Sequence, residues 1–379
     1  MKVVIAIDSF KGSITSMQAG KSAEEGVKRV YPDAETIVLP IADGGEGTVE
    51  ALVNGLGGSI QKVKVKNPLG KEIVAEYGVA NGTAIIEMAQ ASGITLIKKE
   101  ELNPKKTTTY GVGEMINDAI SKGFRNFIIG IGGSATNDGG VGMLQALGFE
   151  FKDKFNNEID FGAEGLKNLD KIIIDNANPL LKECTINVAC DVINPLCGEN
   201  GCSYIFSPQK GAKSEDIPLM DSWLKGYADK TSKMIGKDLS NEKGAGAAGG
   251  LGFAFMAYLN ANLKPGIELV LKEINIENEI STSNLVITGE GKMDSQTLMG
   301  KAPIGVANIA KKYSVPVFAF CGCKDDSARV LNENGIDAIF SIQQGAISID
   351  KAMDITIAKN NLTNTVEQVL RVYKKAKNN

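Results

Sequence analysis

The chain contains no histidine and very little arginine, and both shortages narrow the chemistry it can perform. Without histidine there is no Ser-His-Asp or Cys-His nucleophile pair, no histidine general base and no histidine metal ligand. Proton transfer must therefore use Asp, Glu, Lys, Tyr or Cys. Because arginine occurs at only four positions, an anionic ligand must be held mainly by lysines, backbone amides and bound cations.

The cysteines and the apolar runs exclude further classes of protein. None of the six cysteines forms a Cys-x-x-Cys pair, and without histidine a zinc site would need four thiolates at irregular spacing. Reduced thiols in a cytosolic protein are therefore favoured over a zinc site. No stretch approaches the roughly 20 apolar residues of a membrane span. The apolar run from Val3 to Ile7 ends at Asp8 and is too short for a secretory signal. We therefore expect a cytoplasmic protein without a membrane partner.

The length and the charge bound the architecture and the partners. A chain of 379 residues exceeds one compact core and predicts two domains, or three. The net charge of −4 argues against a nucleic-acid partner, which would require a basic surface. Glycine is abundant, with 43 residues, so many positions need unusual backbone freedom.

Short β-branched runs alternate with helical patterns, which is typical of a parallel, doubly wound sheet. The predicted strands are Val3–Ile7, Thr36–Leu39, Phe127–Ile131, Leu285–Thr288, Val317–Phe320 and Ala338–Ile342. The predicted helices are Met17–Val30, Thr48–Leu56, Val141–Leu147 and Pro303–Tyr313. Elsewhere, a hairpin is predicted around Asn81-Gly82, and strands at Lys171–Ile174, Thr185–Ala189 and Tyr204–Phe206.

These patterns predict an α/β protein with a mostly parallel sheet domain and an inserted, discontinuous second α/β domain. We assign the sheet domain to residues 1–62, 106–143 and 282–379, and the second domain to residues 63–105 and 144–281.

The segment 130–140, GIGGSATNDGG, carries the strongest functional signal. It follows an apolar strand and leads into a helical pattern, a place where unpaired backbone amides and the helix dipole favour an anion. Glycines let the backbone approach a phosphate, and Asn137 and Asp138 add groups able to order water or a metal. The segment therefore predicts a loop for a phosphorylated ligand.

Four other glycine-rich segments resemble this loop: DSFKGS (8–13), ADGGEGT (42–48), GAGAAGGLG (244–252) and TGEGKMDSQTLMGK (288–301). Three of them follow strands, and ligands of open α/β sheets bind beyond the carboxyl ends of the strands. Lys11 and Lys301 lie where a cation has no helix-dipole reason to be, unless an anion binds there. The plainer interpretation of Asp8 and Asp43 is that they cap turns or helices.

Two alternatives use the same loop. Residues Gly130–Ala135 satisfy the dinucleotide pattern G-x-G-x-x-A, which suggests a nicotinamide-dependent oxidoreductase. Against it, Asn137 and Asp138 stand where a dinucleotide loop enters an apolar helix, and the residues for hydride chemistry are missing. The other alternative is a non-catalytic module that binds a phosphorylated metabolite.

Taken together, these segments resemble the bacterial glycerate kinases that make 2-phosphoglycerate. Further matching strings are TTYGVGEMI (108–116), CDVINPLCG (190–198), PQKGA (208–212) and TGEGKMDSQTLMGKAPIGVA (288–307). The resemblance implies a flavodoxin-like domain with a discontinuous partner domain and an active site in the cleft between them. It also implies ATP, Mg²⁺ and D-glycerate as the small-molecule substrate. The oligomeric state is left open, with a homodimer as one option.

The roles that we assign to individual residues are hypotheses. Asp294 is the general base on the glycerate hydroxyl or a metal ligand, and Asp191 is the alternative for either role. Lys11 and Lys301 hold glycerate and the γ-phosphate. The remaining assignments are the nucleotide or Mg²⁺ contacts Gly132, Gly133, Ser134, Asn137, Gly289, Glu290 and Gly291, the substrate contacts Asp8, Ser9, Asp43 and Lys210, and the metal ligands Asp191, Asp294 and Glu290.

Overall fold

A computed structural model describes residues 1–45 and 47–377 of the chain. In chain order its strands are β1 (Lys2–Ile7), β2 (Glu35–Val38), β3 (Ser59–Lys66), β4 (Glu72–Ala80), β5 (Thr83–Glu87), β6 (Asn126–Gly130), β7 (Glu150–Lys152), β8 (Lys171–Ile173), β9 (Thr185–Ala189), β10 (Asn262–Lys264), β11 (Leu285–Met293), β12 (Val317–Lys324) and β13 (Ala338–Ser341).

The α-helices follow the same numbering along the chain. They are α1 (Ser16–Val30), α2 (Thr48–Leu56), α3 (Ala89–Ser92), α4 (Tyr110–Ser121), α5 (Val141–Ala146), α6 (Ala163–Leu166), α7 (Cys202–Phe206), α8 (Ile217–Ile235), α9 (Ala247–Leu259), α10 (Gly266–Glu273), α11 (Ile276–Ser281), α12 (Ala302–Lys312), α13 (Ile349–Ala352) and α14 (Ile355–Lys377).

The chain divides into two compact units. The first comprises Met1–Asp43, Glu50–Gly57 and Ile267–Asn379, and the second comprises Gly44–Val49 and Gly58–Gly266. The domain boundaries expected from the sequence, and an active site in a cleft between the domains, stay predictions.

The first unit is built on a five-stranded sheet in the order β13-β12-β11-β1-β2. Every neighbouring pair is parallel, and Val3 of β1 lies between Leu285 of β11 and Thr36 of β2. Counted along the chain, this order is 2-1-3-4-5, which is the flavodoxin-like arrangement. The prediction of a mostly parallel α/β fold is confirmed.

Helices α1 and α14 pack on one another and cover a face of this sheet. Thr15 caps α1 by accepting a hydrogen bond from the Gln18 backbone, and the Gln18 side chain accepts one from Thr15 in return, a capping box that fixes where the helix begins. Buried side chains of both helices, among them Val27 and Leu362, join the apolar core with strand residues such as Ile5. Thr363 of α14 donates to the Ser22 carbonyl of α1 at 2.8 Å.

The second unit is built on a six-stranded sheet in the order β10-β9-β6-β5-β4-β3. Strands β10, β9, β6 and β5 are parallel, whereas β4 and β3 join as antiparallel neighbours. The predicted hairpin connects β4 to β5 through Asn81 and Gly82, which both have positive φ, at 48° and 75°, as the tight hairpin turn requires.

Two expectations about this unit are wrong. The strand predicted at Phe127–Ile131 exists as β6, but it pairs with β5 and β9 and not with the N-terminal strands, because an apolar run does not reveal which parallel neighbour will cover it. The strand predicted at Tyr204–Phe206 lies in helix α7. Three apolar residues are too few to separate a strand from a buried helical turn.

In the described part of the chain, no helix is both long enough and apolar enough to cross a membrane. This agrees with the sequence, in which no stretch approaches the roughly 20 apolar residues of a membrane span.

A pair of helical glycines tests how tightly α1 packs on α14. A Cβ built on Gly26 would lie 2.6 Å from the Thr363 carbonyl oxygen, whereas one built on Gly226 of α8 would meet nothing within 4 Å. We expect Gly26→Ala to lower the free energy of unfolding by about 1–3 kcal/mol through overpacking. Gly226→Ala should instead raise it by up to about 1 kcal/mol through helix propensity. Urea titrations measure both, and equal effects would contradict the packing described.

Candidate active site

In the first unit, Glu290 and Lys301 form an ion pair near the carboxyl end of β11. Glu290 is buried, and its Oε2 lies 3.3 Å from the Lys301 Nζ. Its Oε1 accepts a hydrogen bond from the Thr297 hydroxyl at 2.6 Å. Burial raises the Glu290 pKa, and Thr297 and Lys301 act against that rise. Since Lys301 stands at the start of α12, the acid fixes a cation at a helix N-terminus, where an anion would also be favoured.

Asp294 follows β11 and begins the 3₁₀ turn Ser295–Leu298. Its Oδ1 accepts a hydrogen bond from the Gln296 N–H at 2.9 Å, and its Oδ2 lies 2.9 Å from the Lys292 Nζ. The Lys292 ammonium, helped by the Gln296 N–H, lowers the pKa of Asp294. Asp294 is therefore an ionised carboxylate near neutral pH.

Asp8 lies directly after β1, beside Gly289 of β11. Its backbone N–H donates to the Gly289 carbonyl at 2.9 Å, and its Oδ1 accepts from the Ser9 N–H at 2.6 Å. Burial, reinforced by the negative charges of Asp43 and Glu290, raises the pKa of Asp8 to about 7. Acidic groups are thus concentrated at this edge of the sheet.

The two glycines of β11 have different surroundings. A Cβ on Gly289 would lie 2.1 Å from the Phe320 carbonyl oxygen, so glycine is needed there for β12 to approach. A Cβ on Gly291 would lie 3.4 Å from the Lys11 backbone nitrogen. The side chain of Lys11 is exposed. Packing therefore explains Gly289 without a ligand, and the ligand roles of both glycines stay predictions.

In the second unit, the predicted phosphate loop follows β6, with its first glycines at the surface. Gly132 and Gly133 are exposed and Ser134 is half-buried. Gly133 has a φ of 74°, and its carbonyl accepts from the Ile94 N–H at 2.8 Å. The loop is therefore held on one side while its glycines are open to a ligand.

Asn137 and Asp138, by contrast, point into the protein. Asp138 is buried and accepts hydrogen bonds from the Thr109 N–H and hydroxyl, both at 2.8 Å, and from the N–H groups of Gly140 and Gly142, at 3.1 and 3.3 Å. Asn137 is also buried and donates to the Ser203 hydroxyl at 2.9 Å. These residues support the loop from inside, in contrast to the expectation that they would order water or a metal at its surface.

Lys210 lies beneath the same loop. Only 1% of its surface is exposed, and its ammonium donates to the Ser134 hydroxyl and to the Thr136 carbonyl, both at 2.7 Å. The sequence predicted a substrate contact at this position. The structure instead places the ammonium against the loop.

Asp191 follows β9, the strand that pairs with β6. Its side chain is exposed, and its Oδ1 accepts a hydrogen bond from the Gly266 N–H at 3.1 Å. Asp191 therefore lies at the same sheet edge as the phosphate loop, within the second unit.

Sequence reasoning gave no role to Thr297 or Lys292, the partners of Glu290 and Asp294. Both stand in the string 288–307, but the string does not show which hydroxyl or lysine turns toward which acid. Among residues 1–45 and 47–377, no group of three or more Cys, Asp or Glu side chains is placed to hold a metal ion.

The glycine-rich segment 244–252 has a packing function. The Gly139 N–H donates to the Gly249 carbonyl at 2.9 Å, and a Cβ on Gly249 would lie 2.1 Å from the Thr136 carbonyl oxygen. Ala248 has a φ of 52°, which is unusual for a residue with a side chain. This segment is thus the support on which the end of the phosphate loop rests.

Comparison with known proteins gives matches over nearly the whole chain. The model of the glycerate kinase family matches residues 3–374. A glycerate 2-kinase of Escherichia coli K12 is 48% identical over 93% of each chain, and a glycerate kinase of Haemophilus influenzae is 46% identical over 98% of each. A crystal structure from Salmonella typhimurium LT2 that carries the name glycerate kinase 2 superposes with a TM-score of 0.92, at 43% identity over 100% of both chains.

The raised pKa of Asp8 predicts an unusual dependence of stability on pH. Between the unfolded value of 3.8 and the folded value of about 7, the native state keeps a proton that the unfolded state has lost, so the contribution of Asp8 to stability falls as pH rises. For the ligand-free protein, we compare the free energy of unfolding of Asp8→Asn with that of the wild type. The difference should shift in favour of the variant by about 1–3 kcal/mol as the pH rises from 4 to 8.

Urea titrations at several pH values measure this gain. The control is Asp33→Asn, which changes an exposed aspartate in the turn before β2. A gain that is the same at pH 4 and pH 8, or that also occurs in the control, would contradict the pKa assigned to Asp8.

Proposed function

The chain belongs to the glycerate kinase family, and from that premise we propose that it transfers the γ-phosphoryl group of ATP to the C2 hydroxyl of D-glycerate. The products are then 2-phosphoglycerate and ADP. The full-length similarity carries this proposal, since it includes every glycine-rich loop described above. The name of the Escherichia coli relative supports the C2 hydroxyl over the C3 hydroxyl as the acceptor.

The phosphates of ATP are assigned to the exposed start of the loop after β6. Gly132 and Gly133 offer backbone N–H groups without side chains in the way, and Ser134 adds a hydroxyl; such groups suit phosphate oxygens. Asn137 contributes by shaping the loop from inside. Gly289, Glu290 and Gly291 are further candidates for nucleotide contacts. Phosphoryl transfer depends on positioning and charge neutralisation, so the lack of histidine is no obstacle.

Magnesium is part of the proposal, with Glu290, Asp294 and Asp191 as candidate ligands. Their carboxylate oxygens are the ligand type that Mg²⁺ prefers, and the ion commonly takes one or two carboxylates together with waters and substrate phosphates. The lack of a three-acid cluster among the described residues therefore fits an ion carried by the nucleotide. When bound, Mg²⁺ neutralises charge on the transferring phosphoryl group.

The lysines and the remaining acids are assigned to the binding of glycerate and of the γ-phosphate. Lys11 and Lys301 bind the glycerate carboxylate and the γ-phosphate, and Glu290 keeps the Lys301 ammonium in place. Asp8, Ser9 and Asp43 bind the glycerate hydroxyls. A neutral Asp8 carboxyl can donate such a hydrogen bond as well as accept one.

Asp294 and Asp191 remain the two candidates for the general base. Because Lys292 lowers its pKa, Asp294 is a weak base, and this favours the metal-ligand role over proton abstraction. If Asp191 is the general base instead, the proton is taken up by an exposed carboxylate.

No observation favours a nicotinamide-dependent oxidoreductase or a non-catalytic binding module. Gly130, the first glycine of the dinucleotide pattern, is packed, since a Cβ there would lie 2.6 Å from the Gly44 carbonyl oxygen. We also propose a cytoplasmic location, which all six cysteines as free thiols support, and no nucleic-acid partner.

An assay of the reaction products tests the proposed function. Incubation with ATP, Mg²⁺ and D-glycerate should yield ADP and 2-phosphoglycerate, which ³¹P NMR distinguishes from 3-phosphoglycerate. ATP turnover that does not depend on glycerate would refute the activity. The 3-phosphate as the main product would refute only the choice of hydroxyl. Saturable NAD(P)H binding without ATP turnover would support the oxidoreductase instead.

The substitution Asp294→Asn separates the two roles of that residue. The amide can still accept the hydrogen bond from Gln296, so the fold should persist. If Asp294 is a metal ligand, the variant should need about tenfold or more Mg²⁺ to reach its half-maximal rate. If Asp294 is the general base, kcat of the variant should instead fall by about 100-fold or more at saturating Mg²⁺.

Asp326→Asn is the matched control, because that carboxylate is fully exposed. If Asp294→Asn behaves like this control in both measurements, neither role holds.

A further inference from the structure

Lys210 is a buried lysine whose ammonium contacts a hydroxyl and a carbonyl, and it forms no ion pair with a carboxylate among residues 1–45 and 47–377. It ends the 3₁₀ turn Pro208–Lys210, after which Gly211 turns the backbone with a φ of 91°. Burial lowers the pKa of Lys210 to about 8. Lysines are rarely buried without a charged partner, and an ammonium taken out of water costs several kcal/mol, so this placement calls for a reason.

The reason lies in what the ammonium touches. The Lys210 Nζ donates one hydrogen bond to the Ser134 hydroxyl and another to the Thr136 carbonyl, each with a donor–acceptor distance of 2.7 Å. These acceptors flank Ala135, whose N–H donates to the Ser92 carbonyl at 2.9 Å and whose carbonyl accepts from Thr107. Lys210 therefore holds the phosphate loop from below while other residues hold it from the side.

We propose that Lys210 is a positioning residue for the nucleotide: its ammonium fixes the loop 132–136 in the shape that receives phosphate oxygens and places a positive charge beneath it. The inference rests on the proposed function, in which this loop binds the phosphates of ATP. A neutral side chain could also tie the loop, but a positive charge in a low-dielectric setting attracts the phosphate oxygens more strongly than a neutral donor does.

The charged and titratable groups around Lys210 come from three elements. Cys202 of α7 and Asp138 of the loop act on the ammonium directly, and Tyr227 of α8 acts on Asp138. Burial raises the pKa of Cys202 to about 12 and that of Tyr227 well above its usual value, so both stay neutral up to pH 9. Burial also raises the pKa of Asp138, while its four hydrogen-bond donors oppose that rise, and the pKa of Lys210 itself lies at about 8.

Steady-state kinetics of Lys210→Met test the proposal, with Lys213→Met as the matched control. Lys213 lies three residues on and is exposed. We expect Lys210→Met to raise KM for ATP about tenfold or more, as for loss of a charged hydrogen-bond partner, with KM for glycerate changed less than about twofold. In the wild type, KM for ATP should rise above pH 8, and this rise should disappear in the variant.

An unchanged KM for ATP, or equal losses for both substrates together with a large fall in Tm, would overturn the proposal. A double variant sharpens the test. If Lys210 acts through Ser134, the double variant Lys210→Met, Ser134→Ala should show a smaller fold-increase in KM for ATP than the product of the fold-increases of the two single variants. Full additivity would contradict action through the Ser134 hydroxyl.

Hydrogen exchange separates failure of this inference from failure of the proposed function. In the ligand-free protein, amides of residues 131–136 should exchange faster in Lys210→Met than in the wild type and in Lys213→Met. This measurement needs no activity. Unchanged exchange would overturn the role of Lys210 even in an active kinase. If ATP fails to slow exchange of these amides in the wild type, the loop is not the phosphate site and the inference falls with it.

Discussion

The carboxylate of Asp138 is the interaction on which the second unit's loop depends. It is buried and accepts four hydrogen bonds, two from Thr109 at the start of α4 and two from Gly140 and Gly142 at the start of α5. Burial raises the pKa of Asp138, and these donors oppose that rise. One acid thus joins two helix starts, whose N–H groups would otherwise lack partners, and sets the path of the glycine loop between β6 and α5.

A chain without histidine must find other groups that change charge near neutral pH, and burial supplies them. Asp8 has its pKa raised to about 7 and Lys210 has its pKa lowered to about 8, one by burial beside other acids and the other by burial alone beneath a loop. Desolvation moves an acid and a base in opposite directions toward neutrality. Asp8 in the first unit and Lys210 in the second thus have pKa values near pH 7–8, and each lies beside residues assigned to ligand binding.

Much of the fold could be predicted from the sequence, because apolar runs and turn residues are local signals. The strands of the first sheet and the Asn81-Gly82 hairpin were predicted this way. The partners of β6 were not, since parallel pairing is decided by distant segments. In the site, glycine loops at strand ends could be located, but the directions of their side chains could not. The motif that contains Asn137 and Asp138 looks the same whether these side chains face a ligand or, as here, the interior. Likewise, the sequence does not show that the turn between Glu290 and Lys301 brings these two side chains together.

The chain enters the first unit, leaves it and returns, and this order has a consequence during synthesis. Strand β1 lies between β2 and β11, yet β11 begins at Leu285, more than two hundred residues after β2 ends. At about 5–20 residues per second, the ribosome needs roughly ten to fifty seconds to make that stretch. The second unit, continuous from Gly58 to Gly266, can fold within this delay. One edge of the apolar strand β1 meanwhile stays unpaired, because β2 is already made but its other partner β11 is not, and an unpaired strand edge in a partly made protein favours aggregation.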